Sequence, residues 1–227
     1  MHDHTKRRAE DSDAAPSSAD FYPTLDRFSA FSDGVFAIAI TLLVLELPVP
    51  PEGVPLVPAL LEAWPDFLGY ILSFAFIGGI WLTHAGLTRL MKRGDTVANG
   101  VNLLLLLFVA LLPFTTQVMV THLFSPDVGA AVLLYGVNFL LASVTLSLLL
   151  RYIAHEPNLA ADDIADDTFR RITKQRRLSL GVNFIAVAVA LIVPTVAVGL
   201  YLLVAGLLLV SPLVALGRHK ARNQQVT

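Results

Sequence analysis

Polar and apolar positions along this chain segregate into long blocks instead of alternating. Six apolar runs stand out, at about 28–47, 65–90, 97–123, 128–152, 178–194 and 198–216. A bilayer crossing needs about 20 such residues. The last two runs share one stretch, Leu178 to Leu216, too long for a single crossing, and Pro194 with Gly199 offers a reversal inside it. In hydrocarbon every backbone N–H and C=O must be satisfied within the segment, so each run is predicted to be a helix. The first ends at "PVPPEGVP", where prolines remove backbone donors. Pro113 in "LLPFTTQ" should kink the third, with Thr115 or Thr116 bonding the freed carbonyls.

The fold class is therefore an all-α polytopic membrane protein with six transmembrane helices in a domain over 25–217. Residues 1–24 and 218–227 are polar tails. The first tail reads as disordered, with His2 and His4 too loosely held to make a metal site. Residues 155–177 put acids first (Asp162, Asp163, Asp166, Asp167) and bases last (Arg170, Arg171, Lys174, Arg176, Arg177), an order that suits a helix dipole. A cytoplasmic helical extension of the fifth span is expected there.

Charge sets the orientation. All sixteen Lys and Arg residues fall in the N-terminal tail with Arg27, between runs two and three, between runs four and five, or after run six. The positive-inside rule puts both termini in the cytoplasm of a multi-pass cell-membrane protein. Composition adds two points. Hydrophobic residues make up 55% of the 227, and cysteine is absent, which excludes disulfides, thiolate metal sites and a cysteine nucleophile.

The first run carries the candidate chemistry: "RFSAFSDGVFAIAITLLVLEL", residues 27–47. At about 100° per residue, Gly34, Ile38, Thr41, Leu42 and Leu45 form one stripe. Ala30, Gly34 and Ala37 form a neighbouring stripe of small residues that lets helices approach closely. The Ile/Leu stripe suits an ordinary core or lipid face, and equally a ring around a symmetry axis that gates by dewetting. Asp33 is costly at such a depth, about 2.5–3.5 kcal/mol on insertion scales, and needs a partner. The antiparallel second run offers Trp81 and His84, and counting from the basic ends puts His84 level with it. A buried polar cluster of Arg27, Ser32, Asp33, Trp81 and His84 is expected to lock the first two spans. Asn102, Asn138 and Asn183 read as single interhelical amides. Glu46 falls at the outer end of the first span, where a ring of carboxylates would attract cations.

The "FSD" segment resembles the first helix of the transmembrane protein 175 family of potassium channels: Arg27, Phe31, Ser32 and Asp33 match its Arg-x-x-x-Phe-Ser-Asp signature. Trp81, His84 and "NLLLLLFVALLPFTT" extend the likeness. The resemblance implies a six-helix repeat, present once here as in the bacterial homotetramers, with the first helix lining the pore. It implies a hydrophobic constriction at Ile38, with further layers at Leu42 and Leu45 and a selectivity layer at Thr41, in place of a carbonyl filter. The permeant ion would be K+, and no cofactor is implied. Expected partners are other copies of the chain and the lipid bilayer, not nucleic acid. Two alternatives stay open: a proton- or ion-coupled secondary carrier using Asp33 and His84, and a membrane scaffold that transports nothing. The chain contains no T-V-G-Y-G filter, P-loop, H-E-x-x-H or G-x-S-x-G, so nothing marks it as an enzyme.

Overall fold

A computed structural model describes residues 24–156, 159 and 166–205. Side chains between 166 and 178 are described at Arg177 only. The expected tails and much of the 198–216 and 155–177 segments lie outside these residues.

The described chain is helical: α1 Leu25–Leu45, α2 Leu56–Glu62, α3 Trp64–Thr88, α4 Thr96–Ala110, α5 Leu112–Thr121, α6 Val128–His155, α7 Asp166–Ala190 and α8 Pro194–Ala205. Four segments are long and apolar enough to cross a membrane: α1, α3, α4 with α5, and α6. Ser179–Ala190 and α8 are shorter apolar helices.

Local chemistry sets the boundaries. Asp95 caps α4, its carboxylate accepting Ala98 N–H at 2.8 Å. Pro65 and Pro113 occupy first-turn positions of α3 and α5, where a missing N–H costs nothing. The third run is thus broken at Leu111, whose N–H reaches both Leu107 O and Val109 O. Val109 is the carbonyl that Pro113 deprives of its usual donor. Both threonine hydroxyls go instead to Leu112 O, from Thr115 at 3.2 Å and Thr116 at 2.6 Å. In the connection after α1, Gly53 takes a φ of +86°, open to glycine at little cost.

Packing orders the helices. α6 is central, against α3, α4, α5 and α7, while α1 lies on the other flank against α3, α4 and α5. The middle of the core is aromatic. Phe76 stacks on Phe139 with centroids 3.8 Å apart, and Tyr135 and Tyr201 close around it. Glycine permits two close approaches: a Cβ at Gly69 would lie 2.4 Å from Val120 Cγ2, and one at Gly136 2.0 Å from the Tyr201 hydroxyl. A backbone bond from Lys92 N–H to Leu159 O (2.8 Å) and the Tyr152 hydroxyl donating to Asp95 (2.5 Å) tie the connections together at the basic end.

Candidate pore helix and its polar anchor

Two faces of α1 have different fates. Phe28, Ser32, Phe36, Ala39 and Leu43 are buried, at the i, i+4, i+8 spacing of a helix face turned into a bundle. Gly34, Ile38, Thr41 and Leu45 point the other way. Ile38 is 61% exposed, Leu42 41% and Leu45 75%, and Thr41 and Glu46 are exposed as well. Most of the apolar side chains of the stripe therefore lie outside the subunit's own core. The Thr41 hydroxyl donates to Ile38 O at 2.9 Å.

The buried face carries a three-helix polar chain. Ser32 Oγ donates to Phe28 O at 2.8 Å, which uses its only proton. Asn102 of α4 must then give its Nδ2–H to Ser32 Oγ, at 2.9 Å. That leaves Asn102 Oδ1, an acceptor, facing His84 Nε2 of α3 at 2.8 Å, so His84 donates from Nε2. The imidazole stacks on Phe28 (5.9 Å, 14°) and leans on Phe36 (5.5 Å). Ser32 and His84 have no exposed surface, and His84 Nδ1 has no hydrogen-bond partner among the described residues. A bare neutral ring nitrogen is the less costly thing to orphan there, since a protonated one would strand an N–H.

The expected single cluster is divided. Asp33 is exposed, and its Oδ1 accepts from Trp81 Nε1 at 2.8 Å, with Trp81 itself 38% exposed. Arg27 is exposed too, outside both sets of bonds. The reason is geometric: one residue of helix turns about 100°, so Ser32 and its neighbour Asp33 cannot share a face. Asp33 and His84 consequently bond to different partners. Asn102, read from sequence as a single interhelical amide and left out of the expected cluster, is the acceptor and donor that joins α1, α3 and α4. Its signal was its depth, about two turns beyond the Asp95 cap, level with Ser32 and His84.

Further from α1, Ser73 bonds Thr116 (2.6 Å) and Tyr135 (3.1 Å), linking α3, α5 and α6. Asn138 donates to Phe108 O at 3.2 Å and to Thr115 at 3.3 Å, and Asn183 to Ser143 at 3.4 Å, each an interhelical amide. Among the described residues no three His, Asp or Glu side chains converge as metal ligands would.

A helical bundle with four membrane-length segments, polar side chains bonded between its helices and an apolar stripe left outside its core has the build of an integral membrane protein. Comparison with known proteins makes the class specific. The family described as "Endosomal/lysosomal potassium channel TMEM175" matches residues 27–113, the stretch holding Ser32, Asp33, Trp81, His84 and Asn102. The chain is 38% identical over 177 residues to a potassium channel of Chamaesiphon minutus, covering 76% of this chain and 87% of that one. It is 32% identical to a potassium channel of a Chryseobacterium species, covering 80% and 91%. The mouse endosomal/lysosomal proton channel TMEM175 is 37% identical over 124 residues, 49% of this chain but 25% of the mouse protein. Among solved structures, a lysosomal potassium-selective channel TMEM175 homologue from Chamaesiphon minutus superimposes with a TM-score of 0.74 at 34% identity, covering 82% of this chain and 97% of its own. A variant of the potassium channel MtTMEM175 shares the fold, with a TM-score of 0.58 at 19% identity. The chain belongs to the TMEM175 channel family, whose chemistry is conduction and not catalysis.

Proposed function

We propose that this chain forms a potassium-permeable channel of the cell membrane, a homotetramer of six-span subunits with both termini cytoplasmic and α1 around the axis. The supporting observation is the division of α1: a packed face bearing Ser32, and an outward stripe of Ile38, Thr41, Leu42 and Leu45. In four copies about an axis, Ile38 is the narrowest ring and Leu42 and Leu45 are further layers. Rings of aliphatic side chains expel water when close and conduct when they separate. Thr41 spends its proton on its own helix, so its oxygen lone pairs are free for a partly dehydrated cation. Glu46 stands at the mouth, where a carboxylate ring concentrates cations.

The polar anchor holds this helix in place and does not touch the ion. Its bonds reach α3 and α4, so opening the gate requires these helices to move with α1 or the chain of bonds to break. A carrier using Asp33 with His84 is less well supported, because the two are bonded apart, to Trp81 and to Asn102.

The test is flux from vesicles holding the purified chain, under potassium, sodium and proton gradients in turn, with Ile38→Asn alongside the parent. A polar ring wets the constriction, so the variant should raise basal cation flux and lower selectivity. Equal flux in both chains would remove Ile38 from the pathway. Currents limited to a carrier's turnover would replace the channel by a transporter.

A further inference from the structure

A cavity of about 270 Å³ opens between α3, α5 and α8, at the end of the bundle away from the basic connections. Leu68, Leu72, Met119, Val198 and Leu202 supply apolar wall, and Thr195 supplies the hydroxyl. Trp64 and Phe124 stand at this end with rings edge to face at 6.0 Å. Two glycines shape the space differently. Gly69 lets α3 close on Val120, whereas a Cβ at Gly199 would meet nothing within 4 Å. A side chain at 199 could therefore enter the cavity without moving backbone.

We propose that this cavity is a lipid site that holds one alkyl chain of a membrane phospholipid. The size is sufficient, since an apolar cavity of ~150 Å³ already admits a benzene-sized guest. The lining excludes water as a stable occupant, because a buried water needs 2–4 polar partners. Aromatic residues are the side chains that favour the headgroup boundary, and Trp64 marks that level beside the cavity. The radial position favours lipid over a second copy. α1 packs on α3, α4 and α5, while α8 reaches the bundle through Tyr201 against Phe76 of α3 and Tyr135 of α6. α3 thus meets α1 on one part of its surface and α8, through Phe76, on another, and with α1 at the axis we place the cavity toward the surrounding bilayer; this last step rests on the pore reading above.

The experiment is photolabelling of the full chain in vesicles of phosphatidylcholine carrying a diazirine midway along one acyl chain, with adducts located by mass spectrometry. Leu68 and Leu202, which are half-buried, should be labelled in preference to Ile192, which is 82% exposed and serves as the open-surface control. Gly199→Phe should cut cavity adducts several-fold with Ile192 unchanged. Leu202→Ala, which enlarges the space, should raise adducts at Leu68, and decides the matter if the phenylalanine variant does not assemble. Cavity labelling no stronger than at Ile192, or indifferent to both variants, overturns the site. So does a Thr195→Cys chain, otherwise free of cysteine, that forms disulfide-linked dimers in the vesicles, since a neighbouring subunit would then fill the space. Loss of labelling leaves the flux result at Ile38 untouched, so failure of the lipid site and failure of the channel reading are separable.

Discussion

Replacing Asn102 by leucine keeps the number and branching of the side-chain heavy atoms and deletes both of its hydrogen bonds. Ser32 retains its bond to Phe28 O and loses only a donor. His84 loses the acceptor for Nε2, and its Nδ1 has no partner to begin with. Side-chain hydrogen bonds between membrane helices average ~0.6 kcal/mol and reach ~1.7, so two of them are worth about 1–3 kcal/mol. The upper half of that range applies at His84, because an N–H stranded in the interior costs more than a lost contact. Asn102→Leu should thus destabilise the subunit by about 1–3 kcal/mol, read from unfolding equilibria in mixed detergent micelles followed by helical circular dichroism. A double-mutant cycle with Ser32→Ala isolates the 2.9 Å bond, and a coupling of about 0.6–1.7 kcal/mol is expected. A variant within about 0.3 kcal/mol of the parent, or a cycle that is additive to that margin, refutes the anchor.

Three further outcomes are expected. Gly136→Ala places a methyl against the Tyr201 hydroxyl and should cost about 1–3 kcal/mol as overpacking; Tyr201→Phe should recover part of this, and by itself be neutral or stabilising, since that hydroxyl has no described partner, as thermal melts of the four chains would show. Trp81→Phe removes the donor to Asp33 and should weaken the α1–α3 contact by about 1 kcal/mol, the worth of an ordinary hydrogen bond, because the pair is exposed; adding Asp33→Asn to it should change little, whereas Asp33→Asn alone should resemble Trp81→Phe in stability and flux. Asp95→Ala deletes the α4 cap and the Tyr152 tie for about 1–2 kcal/mol, while Asp95→Asn keeps the cap and most of the stability in the same melts.

Much of the helical outline was legible because hydrocarbon demands long apolar segments, and composition reports them directly. α1, α3 and α6 begin or end within a few residues of their expected limits. The short α2 was not expected in a stretch dense with prolines. Yet Pro55 sits just before its first turn, a place where a helix tolerates proline. At the site, depth could be counted from the basic residues, and this placed His84 level with Ser32. Azimuth is harder, since it depends on which neighbours a helix meets. Asp33 was therefore assigned to the interior with Ser32, although the backbone turns it outward. Asn102 was set aside as one amide among several because an amide's role lies in what stands on its two sides.

The fastening of α1 has a consequence for biosynthesis. Seventy residues of chain separate Ser32 from Asn102, and 48 separate Asp33 from Trp81. At a ribosomal pace of roughly 5–20 residues per second, α1 waits about 3–14 s for its polar partners to be made. During that interval the Asp33 carboxylate lacks its Trp81 donor, and Ser32, already bonded to Phe28 O, lacks only the donor from Asn102. The Asp33–Trp81 contact between α1 and α3 can therefore form before the Ser32–Asn102 bond adds α4 to the fastening.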